Sequence, residues 1–127
     1  MRNNLALYLR SEAGSGAAEF TLVLFPFIGL VFGIIGLSML LYANQTLQYA
    51  TQSAARYYSV QTANGSNPTT GAVTTYAQTV YTGPGISPTF VAATGSCGYQ
   101  VTGTANFPLN VGLFSRTLTL QSHACYP

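Results

Sequence analysis

Two carboxylates, Glu12 and Glu19, two cysteines, Cys97 and Cys125, and one histidine, His123, are almost all that this chain offers for chemistry; it contains no Asp and no Lys. Glu19 is the most telling of them. It stands five residues after Gly14 in the run Gly14-Ser15-Gly16-Ala17-Ala18-Glu19-Phe20, at the edge of a long apolar stretch, and no formal charge follows it until Arg56. A charge beside hydrocarbon is costly and uncommon, so its presence marks a functional site with a partner to be found. Both carboxylates precede the apolar stretch, so the residues beyond it cannot assemble a Ser-His-acid relay or a paired-carboxylate site. The Gly83 to Gly85 stretch has neither a following Lys nor a preceding strand, which leaves it short of a phosphate-binding loop. We therefore expect no enzymatic activity, no cofactor and no small-molecule substrate.

The formal charge of +2 lies mainly in the first ten residues, in Arg2 and Arg10. Nucleic-acid binding needs a basic face that displaces counterions from phosphates, and none is present. From Tyr57 onward the one formal charge is Arg116, with Thr, Ser, Tyr, Gly, Asn and Gln supplying the polarity. Such a surface repels itself weakly and tends to associate.

Between Phe20 and Leu41 only Thr21, Pro26, Gly29, Gly33, Gly36 and Ser38 interrupt large apolar residues. As a helix, residues 21 to 42 would be roughly 33 Å long, enough for a bilayer core. Each large apolar residue gains about 0.3 to 0.6 kcal/mol on insertion, against about 2.5 to 3.5 kcal/mol for a Glu at mid-membrane and less near the interface, so insertion wins. The basic residues before the segment put the N-terminus in the cytoplasm and residues 43 onward outside, with the lipid bilayer as the first partner. A cleaved secretory signal is the rival reading, although its apolar region is normally shorter and Leu41-Tyr42-Ala43 fits its cleavage rule poorly. Pro26 removes one helix hydrogen bond, which a membrane helix tolerates. Gly29 and Gly33 form a small-xxx-small pair suited to close helix packing, or simply reflect the frequency of glycine in membrane helices.

Helical periodicity continues through Ala43, Leu47, Ala50, Ala54 and Tyr57, predicting one helix from about Ala17 to Thr62 with Asn64-Gly65 as its stop. Thr69 and Thr70 can cap a short helix carrying Val73, Tyr76, Ala77, Val80 and Tyr81 on one face and ending at Gly83-Pro84. Three strand-like runs follow, Thr89 to Ala93, Gly98 to Phe107 and Arg116 to Ala124. The second places Tyr99, Val101, Gly103, Ala105 and Phe107 on one face; the third places Leu118, Leu120, Ser122 and Ala124 there. With Pro108 to Ser115 between them, the last two read as an antiparallel hairpin. The fold class is α+β: a long N-terminal helix, one short helix and an antiparallel sheet of about three strands.

Cys97 and Cys125 sit at the outer ends of that hairpin, symmetric about Val111. Opposed strand ends bring Cβ atoms within disulfide range, and the compartment beyond the membrane is oxidising. A metal site using Cys97, Cys125 and His123 is the alternative, but it has three ligands and no acidic second shell. The disulfide is the expectation, with no metal. His123 is expected to face solvent.

A peptidase that cuts beside a membrane needs a short, flexible, small-residue segment just before a helix, and residues 13 to 18 have that character. Cutting after Gly14 makes Ser15 the new N-terminus, whose ammonium lies about one helical turn from Glu19 and gives the carboxylate a cationic partner, in its own chain or a neighbour. The bland alternative is a signal anchor with an interfacial Glu. Gly14, Glu19 at the fifth position after the cut, Phe20 and the apolar helix resemble the class III signal of type IV pilin-like proteins. The continuation through Ala17-Ala18-Glu19-Phe20-Thr21-Leu22-Val23-Leu24-Phe25-Pro26-Phe27, Phe32-Gly33-Ile34-Ile35 and Ala54-Ala55-Arg56 resembles the TadE-like pseudopilins of the tight-adherence, or Flp pilus, system. Tyr99 to Pro108 and Thr117 to Ala124 resemble the family's C-terminal strands. One departure is Gly36, where many relatives carry a second acidic residue.

The resemblance implies processing at Gly14-Ser15 by a prepilin peptidase, and roles for Glu19 and Phe20 in processing or subunit alignment. Residues 1 to 14 would then be a cytoplasmic leader, 15 to 63 the long helix with its membrane segment at about 20 to 42, and 64 to 127 a small extracytoplasmic head. The implied protein is a minor pilin in assembly of an adhesive pilus, in a bacterial inner membrane. Its partners would be other pilins or pseudopilins and the inner-membrane assembly platform. The reading from another class is an uncleaved, membrane-tethered binding module.

Overall fold

The computed structural model describes residues 13 to 111 and 114 to 127, with side chains described over 16 to 110 and 115 to 127. The leader expected at 1 to 14 falls almost wholly outside these residues. Helix α1 spans Ala13–Ala63 and α2 spans Thr70–Val80; strands β1 Thr89–Gly95, β2 Gly98–Val111 and β3 Phe114–Tyr126 follow. The three strands form one antiparallel sheet in the order β1-β2-β3, so the α+β expectation stands. The chain divides into two compact units, Met1–Ile35 and Gly36–Pro127.

In the first unit the described residues are helical throughout, and the helix continues through Pro26. It already includes Ala13, the first described residue, and so reaches beyond the start expected near Ala17. The small residues read as a flexible approach are helical despite Gly14 and Gly16, continuing the strong apolar helix that follows them.

The second unit holds the core. Ala43, Leu47, Ala50 and Ala54 are fully buried, as their four-and-three spacing predicts. Tyr57, expected to complete that stripe, is only partly buried, and Tyr58 takes the core position, its ring 4.7 Å from that of Tyr99. Helix α1 ends in two capping hydrogen bonds, with Ser66 N–H donating to Gln61 O and Gly65 N–H to Thr62 O at 2.9 Å each. Gly65 adopts φ 77°, the left-handed conformation that this helix stop requires. Helix α2 begins where Thr69 Oγ1 accepts from Ala72 N–H, and it buries Val73 and Ala77.

The inner face of the sheet comprises Phe90 and Ala92, Val101, Gly103 and Ala105, and Ser122 and Ala124, brought side by side by the pairings Phe90↔Gly103, Ala92↔Val101, Val101↔Ala124 and Gly103↔Ser122. At its centre Gly103 lets α1 come close: a Cβ there would stand 2.7 Å from Thr51 Cγ2, 2.9 Å from Phe90 Cε1 and 3.1 Å from Leu47 Cδ1. Beside it the hydroxyls of Thr51 and Ser122 share a buried hydrogen bond of 2.6 Å. Thr51 also donates within its own helix, with Leu47 O at 3.0 Å and Gln48 O at 2.9 Å, so a polar residue occupies the core without an orphaned group.

Both hairpin strands are longer than the sequence suggests. β2 runs on through Pro108 to Val111 and β3 starts at Phe114, so the connection expected over Pro108 to Ser115 shrinks to residues outside the described set. β1 ends its pairing at Thr104, and beyond that point β2 has one free edge where a proline without an N–H is tolerated. Cys97 and Cys125 are bonded, with Cα atoms 6.2 Å apart. They are not symmetric ends of the hairpin: Cys125 lies opposite Gln100, and Cys97 sits in the tight turn between β1 and β2. Gly98, at φ 112°, makes that turn, and a Cβ there would strike Tyr126 O.

Gly103→Ala in the full-length chain in detergent micelles is expected to lose about 1 to 3 kcal/mol through overpacking, read as a lower denaturant midpoint. Reducing the Cys97–Cys125 bond, which closes a loop with sequence separation 28, is expected to lose roughly 3 to 4 kcal/mol on the chain-entropy account, measured the same way.

Candidate functional site

The residues singled out for chemistry lie on α1. Glu19 is exposed and Phe20 is 67% exposed, and from Phe20 to Leu41 most large apolar side chains have their faces open. Gly14 and Ser15 are part of the helical backbone. Ser15 therefore precedes Glu19 by one turn, a rise of about 6 Å. At Gly29 and Gly33 an added Cβ would meet nothing within 4 Å, so neither glycine is used for packing inside this chain. Among the described residues this is the one helix long and apolar enough to cross a membrane, and none of its most apolar window is buried. A helix apolar all round is stable in lipid or between other helices, and unstable bare in water.

The apolar run ends at a polar collar. Tyr42 Oη donates to Thr82 O at 3.0 Å across forty residues of chain, tying α1 to the segment after α2. Thr46 Oγ1 donates to Tyr42 O at 3.0 Å, and Gly83 fits against Tyr81 and Thr46 where any side chain would collide. Burial pushes the Tyr81 phenol above its ordinary value of 10.0; a hydrogen bond with Thr46 works against this and Tyr42 adds to it.

Farther along α1, Tyr49, Ser53, Arg56 and Val60 line an open groove of about 390 Å³ closed on one side by Tyr57 and Tyr76. Those two rings stack with centroids 4.3 Å apart and planes 13° from parallel. The sequence places Tyr57 and Tyr76 each on its own helix but carries no signal that they meet. On the outer face of the sheet His123 is exposed, as expected, and contacts the Gln100 side-chain amide. With both sulfurs in the disulfide, Cys97 and Cys125 have no thiolate to offer His123 for a metal site. No group of three metal-ligating side chains occurs among the described residues.

The fold and site together describe a single apolar helix of membrane-spanning length leading into a small disulfide-bonded α+β unit. Residues 14–56 match the family model described as TadE-like protein, so about a third of the chain, the segment that holds most of α1, is similar to TadE-like proteins. The match begins at Gly14 and ends at Arg56, covering Glu19, Phe20 and every buried residue of α1 except Tyr58. No curated protein and no solved structure matched the chain.

The raised Tyr81 pKa has a readable consequence. The folded state favours the neutral phenol, so this contribution to stability is intact below pH 10 and is lost as the pH climbs through the raised value. Titration followed by tyrosinate absorbance is expected to show a component above the ordinary tyrosine range that Tyr81→Phe removes.

Proposed function

We propose that this protein is a minor pilin or pseudopilin that helps assemble a Tad/Flp-type adhesive pilus, and that it is processed after Gly14. The observation that carries the reading is that the TadE-like match starts at Gly14 itself, the residue on which the cleavage signal would turn. In this reading residues 1 to 14 are a cytoplasmic leader removed by a prepilin peptidase. Residues 15 to 63 form the anchoring and packing helix, and residues 64 to 127 form a head on the periplasmic or extracellular side of a bacterial inner membrane. Cleavage places the Ser15 ammonium one turn from Glu19. That pairing lets a carboxylate sit beside lipid at lower cost, because an opposite charge within a few ångströms favours the ionised form. Phe20 and the open faces at Gly29 and Gly33 then meet neighbouring pilins or the assembly platform, since small residues let helix backbones approach closely in lipid.

The helical backbone at Gly14 and Ser15 favours a second reading, an uncleaved membrane-tethered binding module, because a peptidase takes its substrate unwound. Unwinding here is cheap. Each glycine already weakens a helix by about 1 kcal/mol relative to alanine, and Gly14 and Gly16 flank the bond.

Intact mass of the protein from its native membrane is expected to show loss of residues 1 to 14. Retention of Met1 in cells with an active prepilin peptidase would select the tether. Glu19→Ala is expected to leave membrane insertion intact and to reduce pilus output, scored by quantifying surface pili.

A further inference from the structure

The core stripe of α1 does not stop at Ala43. Within the second unit, Leu40 is half-buried while Leu37, Met39 and Leu41 beside it are exposed, so the covered stripe runs on to Leu40; at Gly36 an added Cβ would meet nothing within 4 Å. The sheet runs the same way. Tyr99 meets Tyr58, Ser59 Oγ donates to Pro127 O at 2.7 Å, and Gly103 and Ser122 meet Leu47 and Thr51. From Tyr58 to Leu47 is about 16 Å of helix and from Tyr99 to Gly103 about 13 Å of strand. β2 thus runs antiparallel to α1, and its remaining eight residues to Val111, about 27 Å, are more than enough to reach the level of Gly36.

Past Thr104 this part of the sheet is a two-stranded ribbon, since β1 has ended. Two-stranded ribbons are marginal alone in water. The ribbon is amphipathic. One face carries Phe107, Leu109 and Leu118, with Leu118 still 40% exposed; the other carries Asn106, Asn110, Ser115, Thr117 and Thr119, all exposed, and Thr119 Oγ1 donates to Asn106 Oδ1 at 3.1 Å. Arg116, opposite Leu109, is exposed and is the one cation after Arg56 in the sequence. An apolar face that also carries the single long cation, backed by a neutral polar face and long enough to reach the last apolar turns of α1, suits the bilayer headgroup layer: arginine lays its stem on apolar surface and reaches lipid phosphate.

We propose that the β2–β3 ribbon is a second membrane contact, lying in the outer headgroup layer beside α1 with Arg116 on lipid phosphate. This rests on the reading of α1 as the membrane anchor.

The chain contains no Trp, so a single introduced Trp is a unique fluorophore. Full-length Thr117→Trp, Leu41→Trp and Thr75→Trp proteins, in vesicles of zwitterionic and anionic phospholipid, would be titrated with lipids carrying a headgroup-level nitroxide. Thr75 is an exposed residue of α2 and serves as the aqueous reference. The expected result is strong quenching at positions 41 and 117 and little at 75, with Arg116→Glu in the Thr117→Trp background losing quenching at 117. Quenching at 41 but not at 117 would overturn the ribbon contact alone. Such a result, with 117 instead protected only at high protein density, would assign the ribbon to a neighbouring copy. No quenching at 41 would overturn the anchor and the ribbon together. Unchanged quenching in Arg116→Glu would remove the role given to the guanidinium.

Discussion

The second unit depends on one close approach, that of α1 to the sheet at Gly103. The buried side chains of this unit are mostly small: Ala43, Ala50, Ala54 and Ala55 on the helix, and Ala92, Ala105 and Ala124 on the strands, with Leu47, Val101 and Phe90 among the larger ones. Small side chains bury little area each, so they stabilise only when backbones come near enough for dense contact. Gly103 permits that distance, and the Thr51–Ser122 hydrogen bond fixes the register at which helix and sheet meet. A bulkier residue at 103 would lift the sheet from the helix and open the alanine layer to water.

A core built this way is thin, and the remaining contacts compensate at its ends. The disulfide closes the end where Tyr58 meets Tyr99 and Pro127 meets Ser59. At the other end of the helical segment the Tyr42 to Thr82 hydrogen bond ties α1 to the loop behind α2. With Arg116 the one formally charged side chain from Tyr57 onward, ion pairing between side chains within that stretch is unavailable, and cohesion falls to packing, hydroxyl hydrogen bonds and the covalent bridge. The many threonines serve this role locally: Thr46, Thr51, Thr62 and Thr75 each donate to a carbonyl in their own helix, which lets polar residues sit in helices without open polar groups.

Much of this was legible in the residue pattern, because period and punctuation are local properties. The four-and-three spacing from Ala43 to Ala54, the Thr69 cap, the Asn64-Gly65 stop and the alternation in β2 and β3 each report the environment of their own segment. What escaped is what depends on two segments at once. Cys97 and Cys125 could be paired from position, yet the hairpin centre implied by their symmetry is displaced from the actual register, in which Cys125 faces Gln100. Pro108 looked like a strand end; whether it ends a strand turns on where β1 stops, which no residue near Pro108 encodes. The buried role of Thr51 has no sign in its own helix, because its partner, Ser122, lies seventy-one residues away. The site was legible to the same degree. Glu19 and Gly14 declare themselves by chemistry beside an apolar run, whereas the stacking of Tyr57 on Tyr76 has no trace within either helix.

The first unit obeys a different rule. Its helix is open on every face, and two glycines a turn apart have space where a packed protein would have neighbours. In water such a surface would drive aggregation; in lipid it is solvated, and hydrophobicity then contributes nothing to the choice of partner. Selectivity must come from shape and from the rare polar atoms. The shape is available at Gly29 and Gly33, where another helix can approach to backbone distance, and the polar atoms are concentrated in Glu19 at the entry. A segment with these two features and little else can pack against many apolar helices weakly. It can pack closely only against one that brings small residues to the same level, because backbone approach in lipid is set by side-chain size.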